Sequence, residues 1–311
     1  MKKYVITGGS GFIGSGLVRA LQARSDAQIV VIDSLLTGHK KNLDGLAAPV
    51  AFHQIDIRDY DAIAPVIAGA DTVFHLAAIP SVPKSIADPL PSHDVNINGT
   101  FAVLRAAKDG GVRRVVYAAS SSAYGDTDVL PKVETMKPLP KSPYALQKLV
   151  GEYYCSVFTS CFALETVGLR FFNVYGPRQD PMSAYSGVLS LFMKHLIART
   201  APAIYGDGEQ TRDFTFVEDV AALIIKASTA GVPGTTYNAG NGGRYSLNTI
   251  WSMLQKIEGV DIKPVYGPGR AGDVRDSQAD TTAAKAALGN DPQFTIEEGL
   301  RRTLDWYKTS L

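Results

Sequence analysis

The stretch "ITGGSGFIGSGL", residues 6–17, decides how the rest of the chain is read. Gly8, Gly11 and Gly14 recur at three-residue spacing, after the apolar run "YVITG" (4–8) and at the mouth of the amphipathic run "GSGLVRALQARSD" (14–26). Glycines there permit a tight strand-to-helix turn and let backbone N–H groups approach a pyrophosphate, whose charge the helix N-terminus favours. A lone G-x-G-x-x-G string is often an ordinary turn, so context carries the weight. A second apolar run, "IVVID" (29–33), ends in Asp33, 19 residues after Gly14. A carboxylate at that place accepts hydrogen bonds from adenosine ribose hydroxyls and repels a 2′-phosphate. The order strand, loop, helix, strand, acid therefore predicts a dinucleotide site with NAD preferred to NADP. His39, Lys40 and Lys41 in the next loop are basic residues that could accept a phosphate instead. Asp56, after a third run "VAFHQID" (50–56), is either near the adenine or a plain strand-end carboxylate.

Further along, "TVFHLA" (72–77) and "RRVVYAAS" (113–120) are also near-continuous apolar runs, the pattern of strands covered on both faces. Amphipathic stretches such as "NGTFAVLRAAKDGG" (98–111) separate them. This rhythm predicts an α/β fold, a doubly wound, Rossmann-like parallel sheet with ligands at the carboxyl ends of its strands. After "TVGLRFFNVYGP" (166–177) the regularity fades into Gly- and Pro-rich loops and helices over 246–259 and 295–311. We expect a second, smaller α+β domain of about 173–212 and 244–311. The first domain then spans 1–172 and takes back about 213–243, where "RDFTFVEDVAALIIKAST" (212–229) again reads as strand or turn into helix.

Composition narrows the function. The 311 residues are 45% hydrophobic and 20% charged with a net charge of +1, which argues against a dedicated nucleic-acid surface. No apolar run reaches 18 residues, so no membrane span is expected, and the N-terminus is too short and glycine-broken for a signal peptide. A cytoplasmic protein is the expectation. Cys155 and Cys161, six apart, suit neither a bridge nor a metal site; two reduced, buried thiols and no metal are expected.

The serines of "AASSSAYG" (118–125) end the fifth apolar run, at the sheet edge where a nicotinamide belongs. "YALQK" (144–148) then places Tyr144 and Lys148 four apart, on one helical face. A serine hydroxyl can position a substrate alcohol, the tyrosine can exchange its proton, and a nearby ammonium should lower the phenol from its usual pKa of ~10. Serine runs are also turn formers and Tyr/Lys pairs are common surface contacts. Their joint position downstream of a dinucleotide loop is what makes them read as chemistry.

The set "TGGSGFIG" (7–14), "HLAA" (75–78), "NINGT" (96–100), "SSSAYG", "YALQK" and "FFNVYGPRQ" (171–179) resembles the extended short-chain dehydrogenase/reductase family across essentially the whole chain. It looks closest to that family's nucleotide-sugar epimerases, those acting at C4 of UDP-N-acetylglucosamine and UDP-galactose. The resemblance implies that Tyr144 is the acid/base, that Lys148 holds the cofactor ribose and tunes Tyr144, and that Ser120 is the catalytic hydroxyl. It extends the NAD contacts to Phe12, Ile13, Ile57, Leu76, Ala77 and Ala78. It implies a substrate set of Ser81, Ser122, Asn173, Arg212, Arg270, Asp273 and Ser277, with the arginines on the UDP diphosphate and Asp273 on the uridine ribose. Guanidinium forks suit a diphosphate, which they bind bidentately.

Family dehydratases carry an Asp-Glu pair just after the catalytic hydroxyl residue, and decarboxylases a glutamate at the second place; here Ser121 and Ser122 stand there. The resemblance therefore implies reversible C4 oxidation, a 4-keto sugar that turns over in the pocket, and re-reduction on its other face. Ser277 occupies a gatekeeper place where a small residue admits an N-acetyl group, and "SVPKSI" (81–86) resembles the N-acetylhexosamine-preferring members. UDP-GlcNAc/UDP-GalNAc is thus the expected pair, with UDP-Glc/UDP-Gal also accepted. The alternatives are a UDP-glucose 4-epimerase without N-acetyl preference, a UDP-glucuronate epimerase or decarboxylase using Lys84 near C6, and an NAD-sensing module without turnover. Family members are commonly homodimers joined through helices near residues 100–110 and 145–160.

Overall fold

The computed structural model describes residues 2–24, 27–180, 187–269 and 274–310. β1 (Lys3–Thr7) runs through the glycine turn into α1 (Phe12–Gln22), then β2 (Gln28–Ile32), β3 (Ala51–His53), α2 (Tyr60–Ile67) and β4 (Thr72–His75). Short α3 (Val82–Ala87) and α4 (Pro89–His93) precede α5 (Thr100–Asp109), β5 (Arg114–Ser120), α6 (Pro143–Phe162) and β6 (Glu165–Phe171). β7 (Val174–Tyr175), α7 (Val188–Ile197), β8 (Ala203–Tyr205), β9 (Thr211–Arg212) and β10 (Thr215–Phe216) follow. The remainder is α8 (Val217–Ala227), β11 (Thr235–Ala239), β12 (Tyr245–Ser246), α9 (Leu247–Glu258), β13 (Val265–Gly267), α10 (Thr282–Leu288) and α11 (Ile296–Ser310).

Seven strands form one sheet in the order β11-β6-β5-β4-β1-β2-β3, and every pairing in it is parallel. The order reverses between β1 and β4, so the crevice at their carboxyl ends is the switch point where such sheets bind ligands. Apolar neighbours alternate faces: Val5, Val30 and Val115 pack with α2, α5 and α6, while Ile6, Val31 and Val116 pack with α1 and α8. This is why the strands read as continuous apolar runs. β3 is shorter than its sequence suggests. The Ile55 N–H turns back onto the His53 carbonyl at 3.1 Å, which ends the ladder and leaves Asp56 in a turn beyond it.

A smaller α+β part has its own core, in which Phe192, Trp251, Leu254, Leu300 and Tyr307 join α7, α9 and α11. α8 packs on α1, and β11 extends the sheet beside β6, so the chain does return to the large sheet after β10. The two thiols differ from expectation: both are free, but only Cys155 is buried, while Cys161 lies exposed at the end of α6. Its neighbour Phe162 is exposed too, because that helical face is uncovered in the single chain. Among the described residues no helix is long and apolar enough to cross a membrane, and no cluster of His, Cys, Asp or Glu could hold a metal.

Candidate active site

One cleft of about 1380 Å³ gathers the candidate residues. Its walls include Gly8, Gly11, Phe12, Ile13, Gly14, Asp33, Asp56, Ile57, Leu76, Ala77, Ala78, Ser81, Ser120, Ser122, Tyr144, Lys148, Asn173, Arg212 and Ser277. Arg270 and Asp273 lie outside the described residues. The volume exceeds the ~300–1,000 Å³ of an ordinary small-molecule pocket and suits a dinucleotide with a second nucleotide beside it.

At the dinucleotide end, Gly8 has φ +74°, and a Cβ on it would meet Ala77 N at 2.7 Å. The Gly11 N–H donates to the Gly8 carbonyl at 3.0 Å, which closes the turn. A Cβ on Gly14 would lie 2.1 Å from that same carbonyl, so the helix can start this close to the strand only with glycine. No side chain caps α1 and no acid stands in its first turn, which leaves its N–H groups and positive end for an anion. Asp33 is buried; its Oδ2 accepts from Ser10 N and its Oδ1 from Leu35 N, both at 2.9 Å. These features fit a bound NAD: a turn whose close backbone packing requires glycine, an uncapped helix N-terminus for the pyrophosphate, a buried acid at the end of β2, and apolar walls at Leu76 and Ala77. Asp56 is different. Arg58 takes both of its oxygens, at 3.0 and 2.8 Å, and also reaches Asp94 at 2.6 Å, so this carboxylate is occupied at the cleft wall. Gly14→Ala is accordingly expected to abolish co-purification of NAD, as measured by release of nucleotide on denaturation; wild-type NAD content would contradict the cradle.

The chemical groups meet at the middle of the sheet. Ser120 is the last residue of β5, and its Oγ accepts from Ser122 N at 3.2 Å and Ser122 Oγ at 2.8 Å, leaving its own proton to donate. Ser142 caps α6 through Ala145 N, Pro143 opens the helix, and the Tyr144 N–H donates to Ser85 Oγ at 3.1 Å. This sets the phenol at the cleft wall. Burial pushes the Tyr144 phenol up to about 12, and the Ser120 hydroxyl pulls it the other way. The expected lowering by Lys148 is not seen in the protein by itself. The ammonium donates to the Ala118 carbonyl at 2.9 Å and lies 5.2 Å from the Tyr117 ring centre. Burial in turn brings Lys148 down to about 8.

At the other end, Asn173 has φ +22° and donates through Nδ2 to the Asp213 carbonyl at 3.2 Å. Arg212 Nη1 is held by the carbonyls of Thr211 and Arg275, at 2.8 and 3.0 Å. The Ser277 N–H donates to Thr211 O at 3.2 Å, which fixes Ser277 at the cleft wall. Among the described lining residues the carboxylates are Asp33, Asp56 and Asp180; none stands on the 81–87, 118–125 or 141–148 segments.

Three buried polar residues escaped the sequence reading. Asn96 grips the Ile79 backbone twice, at 2.8 and 3.2 Å, and Gln147 of α6 at 2.9 Å. His75 links Thr7 and Thr100, at 2.7 and 2.9 Å. Because Thr100 Oγ donates to Asn96 O, the hydrogen-bond network assigns the proton to His75 Nε2, with Nδ1 accepting from Thr7. Burial first, then the Lys148 charge, drives His75 down to about 3, so it stays neutral. Thr7 Oγ1 in turn accepts from Ala77 N at 3.3 Å, bracing the apolar wall. Their one signal was position inside "HLAA" and "NINGT". The third is Asp213, fully buried directly after Arg212.

The sequence profile of the NAD dependent epimerase/dehydratase family matches residues 4–240. The UDP-glucose 4-epimerase of Mycolicibacterium smegmatis is 36% identical over 309 residues, 98% of each chain. The solved UDP-N-acetylglucosamine 4-epimerase of Methanobrevibacter ruminantium, in complex with UDP-N-acetylmuramic acid, superposes with a TM-score of 0.95 at 35% identity, covering 100% of this chain and 99% of that one. The UDP-glucose 4-epimerase of Thermotoga maritima, with UDP-glucose, gives 0.94 at 35% identity over 99% of both chains. With a glycine cradle, Asp33 and the Ser120, Tyr144 and Lys148 groups in one cleft, the chain belongs to the NAD-dependent epimerase/dehydratase family.

Proposed function

We propose that the protein is an NAD-dependent UDP-sugar 4-epimerase whose preferred pair is UDP-GlcNAc and UDP-GalNAc, with UDP-Glc and UDP-Gal also turned over. The observation that carries this reading is the wall around Ser120: it offers Tyr144, Lys148 and serine hydroxyls but, among the described lining residues of that region, no carboxylate. Dehydration needs an acid and base of its own at C5 and C6; reversible oxidation at C4 needs one proton carrier.

Bound NAD supplies the reversible hydride acceptor. Ser120, with its proton free to donate, orients the C4 hydroxyl. Tyr144, as the phenolate, takes that hydroxyl's proton at its oxygen and, as the phenol so formed, returns it to the turned-over 4-keto sugar. Lys148 holds the cofactor ribose, and in the loaded protein its charge and that of oxidised NAD would together favour the Tyr144 phenolate. Asn173, Arg212, Arg270 and Asp273 would hold the UDP part, with the arginines on the diphosphate, while Ser122 contacts the sugar and Ser277 stands beside it as the gatekeeper; Ser81 belongs to the substrate set. The dinucleotide domain comprises about residues 1–172 and 213–243, a division supported by α8 packing on α1 and β11 pairing with β6. The working unit is a homodimer: Phe101 of α5 and Leu146, Tyr153 and Val157 of α6 form an exposed apolar face for a second copy.

Purified protein incubated with UDP-GlcNAc, UDP-Glc and UDP-GlcA, with no cofactor added, tests the reading. Interconversion at C4 with UDP-GlcNAc turned over best is expected. Carbon dioxide, a 4-keto-6-deoxy product or no turnover of any sugar would overturn it. Ser277→Tyr should raise KM for UDP-GlcNAc by roughly 10–100-fold, the effect of overpacking by about 1–3 kcal/mol, and change that for UDP-Gal far less. Equal effects on the two sugars would show that selectivity lies elsewhere.

A further inference from the structure

Asp213 takes no part in the chemistry above, yet it is fully buried at 0% exposure directly after Arg212. Its Oδ1 accepts from Asn241 N at 3.0 Å, and its Oδ2 from Gly242 N at 2.9 Å and Ala279 N at 3.0 Å. Its own carbonyl accepts from Asn173. One residue thus joins three pieces of chain at the substrate end: Asn173, the loop after β11, and the strip 274–280 that carries Ser277. Burying a carboxylate is unfavourable unless its lone pairs are used, and here three backbone donors from two segments use them. Burial pushes its pKa up to about 6, while those three N–H groups work in the opposite direction. An amide of the same shape could not serve, because its NH₂ end would face N–H donors.

A second observation marks the same junction. A Cβ on Gly240 would come 2.4 Å from the Ala279 Cβ and 2.8 Å from Asp213 Oδ2, so the loop backbone presses directly on the carboxylate and the strip. From its far side the strip is held by Lys132, whose N–H donates to Gln278 O at 2.8 Å and whose carbonyl accepts from Asp280 N at 2.9 Å.

We propose that Asp213 is a positioning residue for the nucleotide sugar: its carboxylate fixes the separation between Arg212 and the Ser277 strip, and with it the width of the substrate end of the cleft. Tyr144 and Ser120 sit on α6 and β5 and share no hydrogen bond with it, so the residue acts on binding and leaves proton transfer alone.

Asp213→Asn tests this with two measurements: KM and kcat for the sugar turned over, and UDP affinity by calorimetry. Loss of one charge-assisted hydrogen bond should raise both KM and the Kd for UDP by about tenfold or more, with kcat within about twofold and NAD content unchanged. Unchanged KM and Kd, even with a lowered melting temperature, would overturn it by showing a structural role only; so would a fall in kcat at constant KM. Should that variant not fold, Gly240→Ala disturbs the junction with the charge intact, and the same KM-only effect is expected. The inference rests on the UDP-sugar reading, and the two fail differently. Wild-type protein that does not bind UDP sinks the reading itself; wild-type binding with an unaffected variant sinks this inference alone.

Discussion

Tyr144→Phe is expected to lower kcat by about 10²–10⁴-fold, the usual worth of a positioned acid/base, while NAD content and KM stay near wild type. The phenol is the group proposed to carry the C4 proton: His75 is buried, neutral and fully engaged, and Ser120 is held by Ser122 and acts on the phenol itself. Phenylalanine keeps the ring and removes only the oxygen. The helix cap at Ser142 and the bond from Tyr144 N to Ser85 are backbone features that the substitution leaves in place. Product formation measured beside released NAD separates a chemical defect from a folding one. Near-normal turnover would mean that another residue moves the proton.

Glu152→Gln should cost about 3–5 kcal/mol of stability, because it strips the partner from a buried charge. Glu152 lies one turn beyond Lys148 on α6 and meets Arg170 of β6 at 3.0 and 2.7 Å, with side chains only 5% and 6% exposed. Burial works to lower Arg170, and the Glu152 hydrogen bonds and charge overcome it, holding the guanidinium above its ordinary value. Arg170 also stands 4.6 Å from the Tyr124 ring centre, and Tyr124 reaches Asn238 at 2.6 Å. The variant therefore loosens the junction between α6, β6 and the turn after Ser120. Calorimetry should show a melting temperature lower by on the order of 10 °C. A drop of less than about 2 °C would mean that water or a neighbour takes over the pairing.

What could be read from the chain was what lies close along it. Gly8, Gly11, Gly14 and Asp33 define one strand-turn-helix-strand unit, and Tyr144 and Lys148 one helical face, so spacing alone carries their geometry. Burial was legible where apolar residues ran together, which is how β1 to β5 of the large sheet were anticipated, while β6 and β11 were not. The rest depends on contacts between distant segments. Asp213 meets Ala279 across 66 residues, and Asn96 meets Gln147 across 51; neither pattern marks the sequence. Asp56 was unreadable for the same kind of reason, because Arg58 and Asp94 decide what its oxygens do. Proximity of a lysine suggested an acidic Tyr144, but in the chain alone burial raises the phenol and only the Ser120 hydroxyl works against it.

The most direct test uses UDP-galactose, or UDP-GalNAc, deuterated at C4. Reversible hydride removal at C4 within a closed cleft predicts that the epimer formed keeps its deuterium at C4, with none appearing in water and no cofactor needed in the buffer. Loss of the label to solvent, with epimer still formed, would mean that C4 is deprotonated and reprotonated, and would contradict the oxidation at the centre of the proposed mechanism.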